Sequence, residues 1–138
     1  MTDVPCPLCV ASHAESILWQ DERCRVVDVS DRDYPGYCRV IWNQHIREMT
    51  DLAIEPRTHL LAIVCSVEQV LRELLRPDKI NLASLGNQVP HLHWHIVPRF
   101  ADDPHFPDSI WATRQRAGAP RTVDRAAIAR ELVRQLAH

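Results

Sequence analysis

Residues 88–99 read Gln88-Val89-Pro90-His91-Leu92-His93-Trp94-His95-Ile96-Val97-Pro98-Arg99, and the alternation inside this run decides how the chain folds. In a β-strand successive side chains point to opposite faces. His91, His93 and His95 therefore share one face, while Leu92, Trp94 and Ile96 share the other and belong to a core. Imidazoles on an otherwise apolar strand are costly unless each finds a hydrogen bond or a ligand. Two chemistries fit the pattern. A His-x-His pair can supply ligands to zinc. Alternatively, imidazole titrates near neutrality and can act as acid, base or nucleophile at a phosphorus or acyl centre.

Upstream, Asn81–Leu85 reads as another strand, broken by Gly86-Asn87. Before it comes the clearest helix, Thr58 to Arg76, which contains neither Gly nor Pro. Leu60, Ile63, Val64, Val67, Val70, Leu71, Leu74 and Leu75 recur at helical spacing and build one apolar face. Pro56 suits an early helical position and Pro77 stops the helix. Ile17–Gln20 and Arg23–Val29, split by Asp21-Glu22, predict a hairpin. Asp31–Gly36 is a loop and Tyr37–Trp42 a third strand. Downstream, Asp102–Pro120 carries Pro104, Pro107, Gly118 and Pro120 and predicts an extended segment. A last basic amphipathic helix follows to about Ala137, with Thr122 as N-cap. The order β-β-β-α-β-β with a tail is an α+β architecture, an antiparallel sheet of about five strands with one long helix packed on it. The 138 residues fit a single domain, with a core of about 5–100 and a C-terminal extension, 101–138.

Hydrophobic residues make up 46% and charged residues 25% of the chain, the balance of a globular protein. A net charge of -2 argues against a nucleic-acid polymer or an anionic membrane as partner, though a pocket can still be locally positive. No apolar run has the length of a membrane helix and the first residues lack a secretory pattern, so a cytoplasmic location is expected. The 5 cysteines then point to thiols or metal ligands rather than disulfides. Cys6-Pro7-Leu8-Cys9 is half of a metal knuckle, a redox dithiol, or two packed thiols. Cys24, Cys38 and Cys65 fall in strand or helix patterns and read as core. His13, His59, His105 and His138 have no spacing partner. Arg99 suits a distal phosphate or a salt bridge, and Trp111 either lines a groove or helps Phe106 hold the tail down.

The stretch from Asn81 through Gly86-Asn87-Gln88 to His91-Leu92-His93-Trp94-His95-Ile96-Val97 resembles the signature of the histidine triad family, notably its short bacterial members that hydrolyse diadenosine polyphosphates. The likeness spans about residues 5–100, because Cys6-x-x-Cys9, the Asp-rich loop ending Pro35-Gly36, Asn43-Gln44-His45 and the long helix follow in the family's order. The resemblance implies that His93 is a nucleophile at the α-phosphorus of a nucleotide, forming a nucleotidyl-histidine intermediate. A backbone carbonyl near His95 would fix its tautomer, and His95 and His91 would assist. Asn87 and Gln88 would meet phosphate oxygens, with Asn81 beside them, and Asp28 would hold ribose hydroxyls. The same resemblance completes Cys6 and Cys9 with His45 and His91 as a structural zinc site, and implies a homodimer. Two departures stand out. Many members carry Pro-Gly-His where this chain has Pro35-Gly36-Tyr37, so a polar contact is lost or passes to the tyrosine hydroxyl. The spacer from Asn81 to His91 is also shorter by one residue. The implied function is hydrolysis of a dinucleoside polyphosphate or nucleoside phosphoramidate. Nucleotidyl transfer to phosphate, and a non-catalytic nucleotide- and zinc-binding module, are the alternatives.

Overall fold

The computed structural model describes residues 6–9 and 15–137. Strands β1 (Ser16–Gln20), β2 (Cys24–Asp28) and β3 (Cys38–Trp42) lead through a 3-10 turn (Met49–Asp51) into helix α1 (Ile54–Leu75). Strands β4 (Lys79–Ala83) and β5 (His93–Arg99) follow, and helix α2 (Arg125–Leu136) ends the described chain. All strand pairs are antiparallel, in the spatial order β1-β2-β3-β5-β4. The histidine strand β5 is therefore internal, bonded to β3 on one side and β4 on the other, which fixes its register twice over.

Both helices lie on one face. Leu60, Ile63, Val64, Val67, Val70 and Leu71 of α1 are buried against Val26, Val40 and Ile96 of the sheet, with Ile128 and Leu132 of α2 closing the same core. Each side chain buried in this way contributes about 1.5–3 kcal/mol relative to exposure. Leu92, Ile96 and the half-buried Trp94 point into this core, as the alternation requires.

The boundaries differ from the sequence expectation in instructive ways. Helix α1 begins a turn earlier, at Ile54, with Pro56 inside its first turn, where backbone N–H groups have no intrahelical partner to lose. It ends when Arg76 turns left-handed at φ 49°, just before Pro77. Strand β4 is shifted to Lys79–Ala83 because pairing starts at Lys79 opposite Arg99 and ends before Ser84, whose hydroxyl donates to the His93 carbonyl. Asp124, not Thr122, caps α2, accepting the Ala127 N–H at 3.1 Å. Cys24 and Cys38 are buried, but Cys65 is exposed, off the apolar face of α1. Residues 102–120 are not extended but fold back on themselves, the Pro104 carbonyl accepting from Gln115 and Arg116 and that of Asp102 from Ala119.

Candidate active site and metal centre

The face of the sheet opposite the helices carries Arg25, Val27, Arg39, Ile41, His93, His95, Val97 and Arg99, as the pairings Arg25↔Ile41, Ile41↔His93 and Arg39↔His95 require. Over its middle lies a cleft of about 330 Å3 lined by Arg39, His93, His95, Asn87, Gln88 and Trp111.

His93 opens β5. Its Nδ1 lies 2.6 Å from the carbonyl oxygen of His91. A carbonyl only accepts, so Nδ1 carries the proton and Nε2 holds a free lone pair. The tautomer is thus set by the carbonyl of His91, two residues before His93, not by one near His95. Burial, helped by the Arg39 charge and opposed by that hydrogen bond, holds the His93 pKa below the ordinary imidazole value. His95 is pushed further, down to about 4, by burial, then by His93 and Arg39. Both rings are neutral at pH 7, with centroids 4.9 Å apart.

The Nδ1 of His95 meets the hydroxyl of Tyr37 at 2.6 Å. Tyr37 thereby occupies the polar role open at this position. Its placement depends on Gly36, whose φ of +89° makes any larger residue strained and whose added Cβ would sit a tight 3.1 Å from Leu75 Cδ2. Across the cleft the half-exposed Trp111 stands edge-on to His95, centroids 5.1 Å apart, so the extension reaches the triad.

The structure sorts the remaining candidates. Asn87 and Gln88 lie in the loop after the left-handed Gly86 (φ 73°), exposed at the cleft. Asn81 does not join them: its Oδ1 accepts from Arg99 at 2.7 Å. Asp28 is a clearer departure. Alternation puts it with Cys24 and Val26 on the helix side of β2, where its carboxylate accepts from Arg125 of α2 at 2.7 Å and from the Ser30 N–H at 2.8 Å.

Arg99 is a salt-bridge residue. It binds Asp103 at 2.7 and 3.0 Å and also donates to the Asp108 carbonyl. Tyr34 donates to Asp103 and meets His105 Nδ1 at 2.6 Å, so His105, without a partner in sequence, has one in space; so has His59, whose Nε2 lies 2.7 Å from Asp21. His13 and His138 fall outside the described residues. Sequence reading missed Arg39. The signal was present, since a cation interrupts the apolar alternation of Cys38–Trp42, but only the cleft shows what it faces.

Cys6, Cys9, His45 and His91 form a second cluster beside the triad. The Sγ of Cys6 is 3.3 Å from His91 Nδ1, that of Cys9 is 3.2 Å from His45 Nδ1 and 3.6 Å from His91 Nδ1, and the two Nδ1 atoms are 3.2 Å apart. A tetrahedral zinc, with bonds of about 2.0–2.3 Å, spaces such donors at about 3.3–3.8 Å. The Nε2–H of His91 donates to the Trp42 carbonyl, which leaves its Nδ1 lone pair facing the cluster. The donor set and its spacing therefore fit zinc. The other group of this kind among the described residues, Asp21, Cys24 and His59, is closed by its own hydrogen bonds.

Known proteins share this fold. A crystal structure of a histidine triad protein from Bradyrhizobium japonicum superposes with a TM-score of 0.73 at 26% identity, covering 86% of this chain and 90% of that one. A zinc-bound histidine triad family protein from Mycobacterium smegmatis has the same fold, with a TM-score of 0.57 at 24% identity over 88% of this chain and 83% of that one. Among curated proteins, an AP-4-A phosphorylase of Mycobacterium tuberculosis is 28% identical over 52% of this chain and 40% of its own length. An asymmetrical bis(5'-nucleosyl)-tetraphosphatase of Schizosaccharomyces pombe is 28% identical over 59% of this chain and 48% of its own. The chain thus spans less than half the length of these curated relatives. A family model for the HIT domain matches residues 11–102, and with the fold and the triad in place the chain belongs to the HIT, or histidine triad, family.

Proposed function

We propose that the protein is a nucleotide hydrolase that cleaves at the α-phosphate of a nucleotide conjugate through a nucleotidyl-histidine intermediate on His93. The substrate class is a dinucleoside polyphosphate or a nucleoside phosphoramidate. The observation that carries the reading is the bond from His93 Nδ1 to the His91 carbonyl, which leaves a neutral Nε2 lone pair in the cleft.

In the first step the Nε2–Pα bond forms as the bond from Pα to the leaving group breaks, the electron pair departing with the leaving atom. The positive charge that develops on the His93 ring is stabilised through Nδ1–H by the His91 carbonyl. A Tyr37 hydroxyl donating to His95 Nδ1 leaves the Nε2–H of His95 to donate to the phosphate or the leaving atom. The hydroxyl keeps its proton, because burial raises its pKa. Asn87 and Gln88 offer neutral donors to the phosphate oxygens. In the second step water attacks Pα, the electron pair of the N–P bond returns to Nε2, and the proton lost by the water passes to solvent. The products are the nucleoside monophosphate and the free leaving group. Splitting one displacement into two is the logic of covalent catalysis.

Cys6, Cys9, His45 and His91 would hold a structural zinc, which supplies cross-linking of the N-terminal turn to the active strand and no chemistry at phosphorus. His91 then acts twice, its ring as ligand and its carbonyl as the group that orients His93. A homodimer is part of the same reading. It is supported by the edge position of β4, where Leu82, and Leu85 just beyond the strand, are exposed.

Replacing His93 by Ala or Asn is expected to abolish turnover of diadenosine polyphosphates and of adenylyl-lysine analogues while nucleotide binding survives. Unchanged turnover would sink the proposal. The phosphorylase among the relatives motivates a second reading, in which inorganic phosphate replaces water as acceptor. Product analysis with and without phosphate separates the two, since phosphorolysis yields a nucleoside diphosphate. Tight nucleotide binding with no product under either condition marks the non-catalytic alternative.

A further inference from the structure

Arg25, Arg39 and Arg99 all project from the histidine-bearing face of the sheet. Arg25 is paired, with four of its five donors engaged: it binds both oxygens of Glu15 at 3.0 Å, Asn43 Oδ1 at 2.9 Å and the Leu8 carbonyl at 2.9 Å. Arg99 is likewise paired, with four donors going to Asp103, Asn81 and the Asp108 carbonyl. Arg39 stands between them, directly opposite His95 on β3, and no carboxylate among the described residues pairs with it. Its Nε is buried without an acceptor among the described residues. His93, His95 and the amides of Asn87 and Gln88 line the same cleft and carry no negative charge, while the Tyr37 hydroxyl is the hydrogen-bonding neighbour of Arg39 there, and the charge of Asp31 acts on the surroundings of that hydroxyl.

A partly buried guanidinium without a counter-charge is costly. Its planar fork suits two oxygens of a phosphate. From this we infer that Arg39 binds the leaving portion of the substrate, and that this portion is itself a phosphate chain, so the preferred substrates are nucleoside polyphosphate conjugates rather than phosphoramidates. The inference rests on the nucleotidyl-transfer reading of the cleft and narrows its substrate class. An oxygen leaving from Pα toward a further phosphate departs as an anion, and a fixed cation beside it stabilises the charge as it forms. A nitrogen leaving group departs as a neutral or protonated amine, which the same cation does not help.

The test compares diadenosine tetraphosphate with adenosine 5′-phosphoramidate, which share the nucleoside and the α-phosphate and differ in leaving group. Arg39→Leu should lower kcat/KM for the tetraphosphate by about 10- to 100-fold, the range for loss of a charged hydrogen-bonding partner. The phosphoramidate should fall by less than about threefold, and Arg39→Lys, a point charge without the fork, should lie between. Calorimetric binding of inorganic tripolyphosphate provides a readout without catalysis, with affinity expected to drop at least about tenfold in Arg39→Leu. Thermal melts of both variants show whether they are folded, and Arg39→Lys carries the comparison should the leucine variant not fold. Equal losses on both substrates, or unchanged tripolyphosphate affinity, would overturn the inference. A wild-type protein that turns over neither substrate yet binds tripolyphosphate through Arg39 would instead overturn the catalytic reading and leave the anion site standing.

Discussion

The two ends of β5 treat buried polar groups in opposite ways. At its C-terminal end Arg99 is 2% exposed, and its donors go to Asp103, Asn81 and the Asp108 carbonyl, while Asp103 also accepts from Tyr34 and from the backbone of Phe100, His105 and Phe106. At its N-terminal end His93 and His95 are 7% and 5% exposed, yet each has only its Nδ1 engaged within the protein. One end spends four of the five Arg99 N–H donors on the fold; the other keeps one ring nitrogen of each histidine unengaged within the protein. The difference separates a structural clamp from the candidate site on a single strand.

Substitutions should split accordingly. His93→Gln is expected to cost at least about a thousandfold in kcat, the scale seen when a covalent nucleophile is removed, with an unfolding midpoint close to that of the parent. Asp103→Asn should do the reverse. It leaves Arg99 buried and unpaired and is expected to cost about 3–5 kcal/mol of stability, measured by urea unfolding. Removing zinc from the quartet with a chelator, or changing Cys6 and Cys9 to Ser, should cost about 4 kcal/mol where free zinc exceeds its Kd about 1,000-fold. Activity should fall with it, because the His91 carbonyl that orients His93 is positioned by the same residue. Metal analysis and thermal melts with and without chelator check this. Tyr37→Phe is the mildest change, about 2- to 13-fold in kcat/KM, the worth of one hydrogen bond to His95.

Acid should distinguish the two ends as well. The folded pKa of His95 is about 4 against an ordinary value of 6.5, so between those values the unfolded chain binds more protons. Stability contributed by neutral His95 is complete above about pH 6.5 and is lost as pH falls toward 4. The groups facing this ring, Tyr37, His93, Arg39 and Trp111, include no carboxylate that would reverse the sign. Asp103 behaves differently: burial raises its pKa, but Arg99 and backbone N–H groups outweigh this and hold it well below 3.8. Its contribution therefore survives the first loss and disappears only below 3.8. Urea midpoints from pH 7 to 3 should show the first loss in the parent and not in His95→Gln.

Much of this architecture was legible before the structure. Period-two histidines and the 3.6-period face of α1 are local signals, and burial followed them, with Leu92, Trp94 and Ile96 toward the helix. The quartet of Cys6, Cys9, His45 and His91 was not legible from spacing; only the family resemblance joined residues 85 positions apart. What failed was side-chain allegiance. Asp28 reads as a free acid until Arg125, 97 residues later, claims it on the far side of the sheet. Asn81 looked available until Arg99 took its oxygen. Arg39 is inconspicuous because a lone arginine in a strand is ordinary, and its significance lies in the carboxylate it lacks among the described residues.

The central claim is that His93 Nε2 attacks phosphorus, and it is tested most directly by trapping the intermediate. Rapid quench of the protein with diadenosine tetraphosphate, at alkaline pH to preserve a P–N bond, followed by peptide mass spectrometry, is expected to show one adenylyl group on His93. His93→Gln should show none. Turnover without any adduct, or an adduct on His91 or His95 that persists in His93→Gln, would contradict the account.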